Sequence, residues 1–282
     1  MTGPRSVTSD AAHRFRPAGR LRSATYGLLW HACELFRRGS SACGYLAAGV
    51  LRDQELQVAM RIQFGNFSAS ADEVDEGLNP FEHRVYTKWL RPSGRVLLVG
   101  CGAGRDLIAL HRLGYDVTGL EQSPDASESA RQHLLRVGLT ASVLTGSIER
   151  VELEHDYHAI VFASSCYSNM RGSALRMATL ARLKSHLSPG GCLIISYIGS
   201  SASQSPSGVA LMRLSARLAS SDWWPEPGDT FVRPFWADVL YFTHAFRAGE
   251  VAQECAAAGF HAVAEEFSSG RADCIVLQVD GD

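Results

Sequence analysis

Short, mostly apolar runs alternate with helical repeats of apolar residues from about residue 95 to the C-terminus. Five runs are predicted strands: Val96–Val99, Val117–Leu120, Ala141–Thr145, His158–Ala163 and Cys192–Ile198. Between them, apolar residues recur every three or four positions, as at 126, 130, 134 and 137, which is typical of amphipathic helices. This alternation predicts an α/β fold with a doubly wound, mostly parallel sheet. Two further runs, His261–Phe267 and Cys274–Val279, predict a terminal β-hairpin joined through Gly270.

The residues before the first strand have a different pattern. Residues 1–20 are rich in arginine and carry one acid, which favours a disordered tail over the alternative of a transit peptide. Apolar repeats predict two helices, Leu21–Arg38 and Tyr45–Phe64, separated by the breaker cluster Gly39–Ser41. Residues 21–80 are therefore predicted to form a helical cap. Whether this cap is a lid over a site or an appendage without a catalytic role is left open by the sequence.

Composition restricts the function more than it defines it. Twenty-seven basic and 29 acidic residues give a net charge of −2, so no global field favours nucleic acid or an anionic membrane. The chain has no apolar run of 18 residues that would predict a membrane span. Its seven cysteines form no C-x-x-C pair, which favours free thiols in a reducing cytoplasm over disulfides or a zinc site. A homodimer is a further expectation.

The candidate chemistry lies where the first predicted strand ends. Val99 is followed by the glycine turn Gly100–Gly104, then by a predicted helix, a second strand and Glu121. Glycines let a backbone approach a ligand closely, and a carboxylate after the second strand can accept both hydroxyls of a ribose. The spacing does not fit the G-x-G-x-x-G pattern of dinucleotide sites, and Asp106 would repel a pyrophosphate. The pattern therefore indicates a site for another nucleoside-type cofactor.

Three segments resemble the class I S-adenosylmethionine-dependent methyltransferases. They read VLLVGCGAGRDLIAL, GYDVTGLEQSP and LARLKSHLSPGGCLIISY. The resemblance covers about Phe81 to Val279. It implies a seven-stranded methyltransferase domain over residues 81–282, S-adenosyl-L-methionine as cofactor and direct in-line transfer of a methyl group. Two positions depart from the family pattern, because Leu98 and Ser147 stand where many members carry an acid.

The resemblance also implies which residues contact the cofactor. They are Gly100, Cys101, Gly102, Gly104, Glu121, Gln122, Ser147, Ile148 and Ser164. Glu149 is the alternative to Ser147 as the partner of the adenine amino group. Ahead of the first strand, in the part of the fold that covers the methionine end, further candidate contacts are Asn66, Asn79, Glu82 and Tyr86.

The methyl acceptor is predicted beyond the fourth strand, where Ser164 to Asn169 follow its carboxyl end and are expected to face the transferred methyl group. Tyr167 and His244 are the candidate general bases, with a purely structural role as the alternative for each. Residues 199–246 form an insertion in which seven aromatic residues cluster: Trp223, Trp224, Phe231, Phe235, Trp236, Tyr241 and Phe242. They either line an apolar pocket or form a local core.

The near-neutral charge and the aromatic insertion favour a small organic acceptor over nucleic acid. No metal-ligand set of the catechol-methyltransferase type is present in the sequence, so no metal is predicted. Two other functions stay open. The departures at Leu98 and Ser147 would suit a non-catalytic binding or scaffold module. A nicotinamide oxidoreductase is the weaker alternative, because the glycine spacing opposes it.

Overall fold

The computed structural model describes residues 20–65, 71–200, 206–232, 241–267 and 272–279. The chain divides into two compact units, Met1–Gly44 and Tyr45–Asp282. The division lies within the region predicted as a helical cap. Most of the predicted N-terminal tail, together with Asn66, Phe235, Trp236 and Gly270, lies outside the described residues.

The described residues contain nine strands in two sheets. The strands are β1 (Arg95–Val99), β2 (Asp116–Glu121), β3 (Val143–Thr145), β4 (Tyr157–Phe162), β5 (Leu187–Tyr197), β6 (Asp229–Val232), β7 (Tyr241–His244), β8 (Phe260–Glu266) and β9 (Asp273–Val279). The large sheet has seven strands in the order β3-β2-β1-β4-β5-β9-β8. Strands β1 to β5 pair in parallel, and β9 pairs antiparallel with both β5 and β8. The predicted seven-stranded, mostly parallel sheet with a terminal hairpin is confirmed.

Nine α-helices accompany these strands in the described part of the chain. They are α1 (Arg20–Val50), α2 (Asp53–Gly65), α3 (Ala71–Asp75), α4 (Pro80–Trp89), α5 (Arg105–Arg112), α6 (Pro124–Arg136), α7 (Ser173–Lys184), α8 (Pro206–Ala219) and α9 (Glu250–Ala257). One 3₁₀ turn, Cys166–Asn169, follows β4. Within these ranges, no helix combines the length and the apolar character that crossing a bilayer requires.

The predicted break at Gly39–Ser41 is wrong, because α1 runs through it without interruption. One glycine inside a helix costs only about 1 kcal/mol relative to alanine, so good helix formers on both sides can carry the helix past it. The chain breaks instead at Leu51–Arg52. There the Glu55 side chain accepts a hydrogen bond from the Arg52 N–H at 2.8 Å, which caps the start of α2.

Neighbouring residues of the central strands point to opposite faces of the sheet, and each face is covered by helices. Val96 and Leu98 pack with Leu107 in one buried cluster, while Leu97 and Leu180 belong to the other. All five side chains are fully buried. This double covering explains why the strand sequences are continuous apolar runs rather than alternating ones.

The insertion forms α8 and the antiparallel ribbon β6–β7. Trp223 and Phe242 are buried with Met60 of α2 in a third cluster, against which Phe231 packs. Trp224 is 48% exposed and lies beside two arginine side chains. The described aromatic residues up to Phe231, and Phe242, therefore serve the insertion's own packing, and the local-core interpretation holds for them.

Candidate functional site

A cavity of about 810 Å³ opens at the carboxyl ends of β1, β2 and β4. Its volume falls in the range of about 300–1,000 Å³ that is usual for small-molecule sites. Residues from the glycine turn, the ends of the central strands, α2 and β7 line it together. The polar lining residues used below are Asp53, Gln57, Asp106, Glu121, Glu149, Asn169, Arg171 and Tyr241.

The glycine turn is held against β2 by its own backbone. The N–H groups of Gly100 and Cys101 donate to the Leu120 carbonyl at 2.8 and 3.2 Å. Gly100 has φ +75°, and a β-carbon there would lie 2.8 Å from the Cys166 β-carbon. Gly102 has φ +54° with open space around it. The turn therefore needs glycine for backbone conformation and, at Gly100, for close packing, and Gly102 leaves room for a ligand.

Glu121 lies at the centre of this backbone framework. Its Oε2 accepts a hydrogen bond from the Gly102 N–H at 3.0 Å, and its Oε1 accepts one from the Ser123 N–H at 2.9 Å. Burial raises the pKa of Glu121, while these backbone donors favour the ionised form and oppose the rise. Each oxygen has a second lone pair, so the carboxylate can also accept the two hydroxyls of a ribose.

The turn after β3 forms another part of the cavity wall. Ser147, Ile148 and Glu149 all line the cavity, as predicted for two of them and proposed as an alternative for the third. Oε2 of Glu149 is buried and has no hydrogen-bond partner among the described residues. The Ile148 carbonyl is occupied by Arg182. Glu149 therefore offers an unused acceptor at the position where an adenine amino group is expected.

Asp106 is a buried carboxylate at the cavity, whereas Leu98, one of the two departures from the family pattern, is not. Leu98 is fully buried within the sheet, so an acid there would lie in an apolar core. Asp106 is the second residue of α5, lines the cavity and is only 3% exposed. Its Oδ1 accepts from Nε of Arg105 at 2.6 Å, and Arg105 also binds Glu82 at 2.7 Å. The sequence analysis identified Asp106 only as a residue that opposes pyrophosphate.

The candidate contacts of α4 have structural roles. Asn79 caps α4 by accepting from the N–H groups of Phe81 and Glu82, both at 2.9 Å. Glu82 completes this capping box through the Asn79 N–H. Tyr86 is buried in the apolar cluster that contains Leu98. None of the three candidates lines the cavity as the described residues form it.

The segment after β4 reaches the cavity through a strained turn. Ser164 and Ser165 have φ values of +48° and +61°, which non-glycine residues seldom adopt. Ser164 is exposed and lines the cavity, as does Gln122 after β2. The predicted cofactor-binding residues from Gly100 to Ser164 thus lie around the same cavity, with the exception of Gly104, which starts α5 just behind the turn.

Tyr167 and His244 do not line the cavity that the described residues form, and both are fully buried. The Tyr167 hydroxyl donates to Glu254 at 2.8 Å, and burial together with the charge of Glu254 raises the pKa of Tyr167. His244 contacts Asp229 through Nδ1 at 2.6 Å and Glu250 through Nε2 at 3.3 Å. Their placement does not support a role as general base, and it favours the structural alternative.

These two residues belong to a buried polar network centred on Arg176. The guanidinium of Arg176 is fully buried and pairs with Glu254 at 2.6 Å and Glu226 at 3.3 Å. Glu226 also accepts from the Ser173 N–H and hydroxyl, and its own N–H donates to Asp229. The network therefore connects α7, α9, the 3₁₀ turn and the insertion. Arg176 also donates to the Met170 carbonyl at 3.1 Å, which supports the cavity wall from behind.

The far wall of the cavity combines Tyr241 and Asn169, which the sequence analysis named, with Asp53, Gln57 and Arg171, which it did not name. Arg171 binds Asp53 of α2 through Nη2 at 2.6 Å, and Gln57 donates to the same carboxylate at 2.8 Å. The Tyr241 hydroxyl donates to Oδ1 of Asn169 at 2.8 Å. Burial raises the pKa of Tyr241, so its phenol stays protonated at neutral pH. Asn169 ends the segment predicted to face the methyl group, and Tyr241 belongs to the aromatic cluster for which a pocket-lining role was one of the two interpretations.

The described ranges contain no group of three or more histidine, cysteine, aspartate or glutamate residues that could hold a metal ion.

The sequence was also compared with known protein families. Residues 96–191 match the family model described as a methyltransferase domain.

Two curated relatives match part of the chain. A ubiquinone biosynthesis O-methyltransferase from Xanthomonas axonopodis pv. citri is 31% identical over 122 residues, which is 43% of this chain and 50% of the relative. A protein-L-isoaspartate O-methyltransferase from Methylorubrum extorquens is 34% identical over 128 residues, or 45% of this chain and 50% of the relative. The chain thus spans about half the length of these relatives.

Solved structures support the same fold at low sequence identity. An S-adenosylmethionine-dependent methyltransferase from Clostridium acetobutylicum superposes with a TM-score of 0.52 at 12% identity, covering 71% of this chain and 89% of its own. The glycopeptide N-methyltransferase MtfA in complex with S-adenosylmethionine gives 0.52 at 18% identity, with 71% and 86% covered. Together with the strand order and the glycine turn, these matches show that the chain has the class I methyltransferase fold, within which residues 96–191 match a methyltransferase domain.

Proposed function

We propose that this protein transfers a methyl group from S-adenosylmethionine to an oxygen or nitrogen atom of a small organic molecule. The observation that carries the proposal is the continuous cavity, which joins the glycine turn and Glu121 to Asn169 and Tyr241. A cofactor at the first group of residues and an acceptor at the second would share one enclosed space. The O- and N-methyltransferases among the compared proteins support this choice of acceptor atom.

The cofactor end has a carboxylate acceptor for the hydrogen-bond donors of the nucleoside, which are the ribose hydroxyls and the adenine amino group. We assign Glu121 to the ribose hydroxyls. It is the last residue of β2, and its two oxygens are held beside the glycine turn by backbone donors. We assign Glu149 to the adenine amino group, because its buried Oε2 lacks a partner among the described residues. Ser147 and Ile148 complete the adenine wall. Both assignments place the nucleoside over β2 and β3.

The acceptor end aligns the second reactant and excludes water. The methyl sulfonium is already activated, so the protein's main contribution is to hold a nucleophile in line with the carbon–sulfur bond. Tyr241 and Asn169 supply a hydroxyl and an amide at the wall, and Met60 supplies apolar surface. Tyr167 and His244 are too deeply buried to receive a proton from the acceptor. An acceptor that loses its proton easily, or a neutral amine, therefore fits this site best.

The test combines binding with turnover. Calorimetry with S-adenosylhomocysteine should show binding to the wild-type protein and weak or no binding to Glu121→Ala. Labelled S-adenosylmethionine, incubated with a panel of small phenols, carboxylic acids and amines, should then give label in at least one acceptor. Binding without transfer to any class would favour the non-catalytic alternative, and no binding at all would refute the proposal. The predicted homodimer stays a prediction.

A further inference from the structure

One oxygen of Asp106 is buried at the cavity without a partner. The residue is 3% exposed, and its Oδ1 is bound to Nε of Arg105 at 2.6 Å. Oδ2 is buried as well, but it has no hydrogen-bond partner among the described residues. Asp106 nevertheless lines the cavity. A carboxylate oxygen held in this way requires an explanation, because the described part of the chain provides no donor for it.

Burial of the Asp106 carboxylate disfavours its charged form. Burial raises the pKa of Asp106 to about 6, opposed by the charge of Arg105 and reinforced by that of Glu82. An unpaired buried polar group costs about 1–3 kcal/mol, and more when it is charged. A ligand that brings a cationic donor to Oδ2 would remove most of this cost. The vacant acceptor is therefore suited to an ammonium group.

The position of Asp106 relative to the nucleoside identifies which ammonium group this is. Glu121 ends β2 and Glu149 follows β3, whereas Asp106 lies in the first turn of α5, directly after the glycine turn that ends β1. The remaining part of the cofactor is its methionine moiety, which carries an α-ammonium. Glu76, in the segment after α3, also lines the cavity, and α3 packs against α5.

We propose that Oδ2 of Asp106 accepts a hydrogen bond from the α-ammonium of the cofactor. This inference rests on the proposed function, since it presupposes S-adenosylmethionine in the cavity. Asp106 thereby replaces the acid that many family members carry at the position of Leu98. Arg105 holds the other oxygen and fixes the carboxylate, while its second bond to Glu82 anchors the arginine to α4.

A two-ligand comparison tests the assignment. S-adenosylhomocysteine carries the amino-acid moiety, and 5′-methylthioadenosine lacks it but retains the adenine and ribose. Asp106→Asn keeps the shape and removes the charge. We expect it to weaken S-adenosylhomocysteine binding by about 10- to 100-fold, the range for a hydrogen bond to a charged group. Binding of 5′-methylthioadenosine should change less than about twofold. The matched control Glu121→Gln should weaken both ligands, because both contain the ribose.

The possible outcomes separate this inference from the proposed function. If the wild-type protein binds neither ligand, the proposed cofactor site itself is refuted. If it binds both, but Asp106→Asn weakens both equally or neither, the cofactor site stands and the role of Asp106 is overturned.

A second measurement needs no variant and covers the case in which Asp106→Asn does not fold. The wild-type protein is titrated with S-adenosylhomocysteine and with its analogue that carries hydrogen in place of the α-amino group. We expect the analogue to bind about tenfold or more weakly. Equal affinity for the two ligands would overturn the inference, because no group on the protein would then recognise the ammonium.

Discussion

The two ends of the cavity are built in different ways. At the cofactor end, the backbone N–H groups of Gly102 and Ser123 converge on the Glu121 side chain, and the Gly100 N–H donates to the backbone carbonyl of Leu120. At the acceptor end, side chains hold side chains, as in the pair formed by Arg171 and Asp53. A backbone framework depends on conformation and tolerates many side-chain changes, whereas a side-chain framework depends on residue identity.

The wall of the acceptor end also depends on the identity of buried charged residues that lie behind it. Arg176 is fully buried between Glu254 and Glu226, and it supports the Met170 carbonyl at the cavity wall. A buried ion pair contributes little net stability compared with apolar residues, but the loss of one partner leaves an unpaired charge. The acceptor wall should therefore be the part of the protein most easily disrupted by a single substitution.

The largest expected effect comes from breaking the network at its centre. Arg176→Met should lower the free energy of unfolding by about 3–5 kcal/mol, because Glu254 loses its buried cation. Urea unfolding measures this loss. The control Arg217→Met removes an exposed arginine of α8 that lies over the Trp224 ring, and it should change stability by no more than about 1 kcal/mol. Equal stability of the two variants would show that the network is not important for the fold.

The cofactor end should respond in binding rather than in stability. Glu121→Ala should weaken S-adenosylmethionine binding by about 1.5–3 kcal/mol, since it removes the carboxylate proposed to hold the ribose. Calorimetry provides the affinity, and thermal unfolding shows whether the turn is intact. Unchanged affinity in a folded variant would mean that the ribose is bound elsewhere.

A pair of tyrosines provides a sharper contrast within the acceptor half. Tyr241→Phe removes a hydroxyl from the cavity wall, so the acceptor's KM should rise by about two- to tenfold, with cofactor affinity unchanged. Tyr167→Phe removes a hydroxyl from the buried network and should reduce stability while leaving kcat within about twofold at a temperature where the variant is folded. A large loss of kcat in the second variant would restore Tyr167 as a catalytic candidate.

Metal chelation is expected to have the smallest effect, because it should leave the rate of methyl transfer unchanged. Transfer should continue in the presence of EDTA, because the proposed displacement requires alignment and no Lewis acid. The measurement is the initial rate before and after chelation, with added Mg²⁺ or Zn²⁺ as the control. A rate that falls on chelation and returns with metal would contradict this mechanism.

The sequence predicted the strands and the glycine turn around the proposed cofactor site well, because their signals are local. The glycine turn, the buried strands and Glu121 lie within a continuous stretch, and each has a backbone reason for its residue type. Gly39 was misleading, since helix-breaking propensity is weak and neighbouring residues can override it. Tyr167 and His244 were chosen by chemical type, which contains no information about burial. The pair Asp53 and Arg171 could not be predicted, because only the folded chain brings these residues together.

Sequence separation has a further consequence for how the protein reaches its native state. Gly102 and Glu121 are 19 residues apart, but Arg171 and Asp53 are 118 apart, and Asp222 binds the backbone of Asp53 across 169 residues. Closing a longer loop carries a larger entropic penalty, and non-local contacts slow folding. The nucleoside-binding half can thus form early from neighbouring segments. The acceptor pocket is assembled last, when three distant parts of the polypeptide meet.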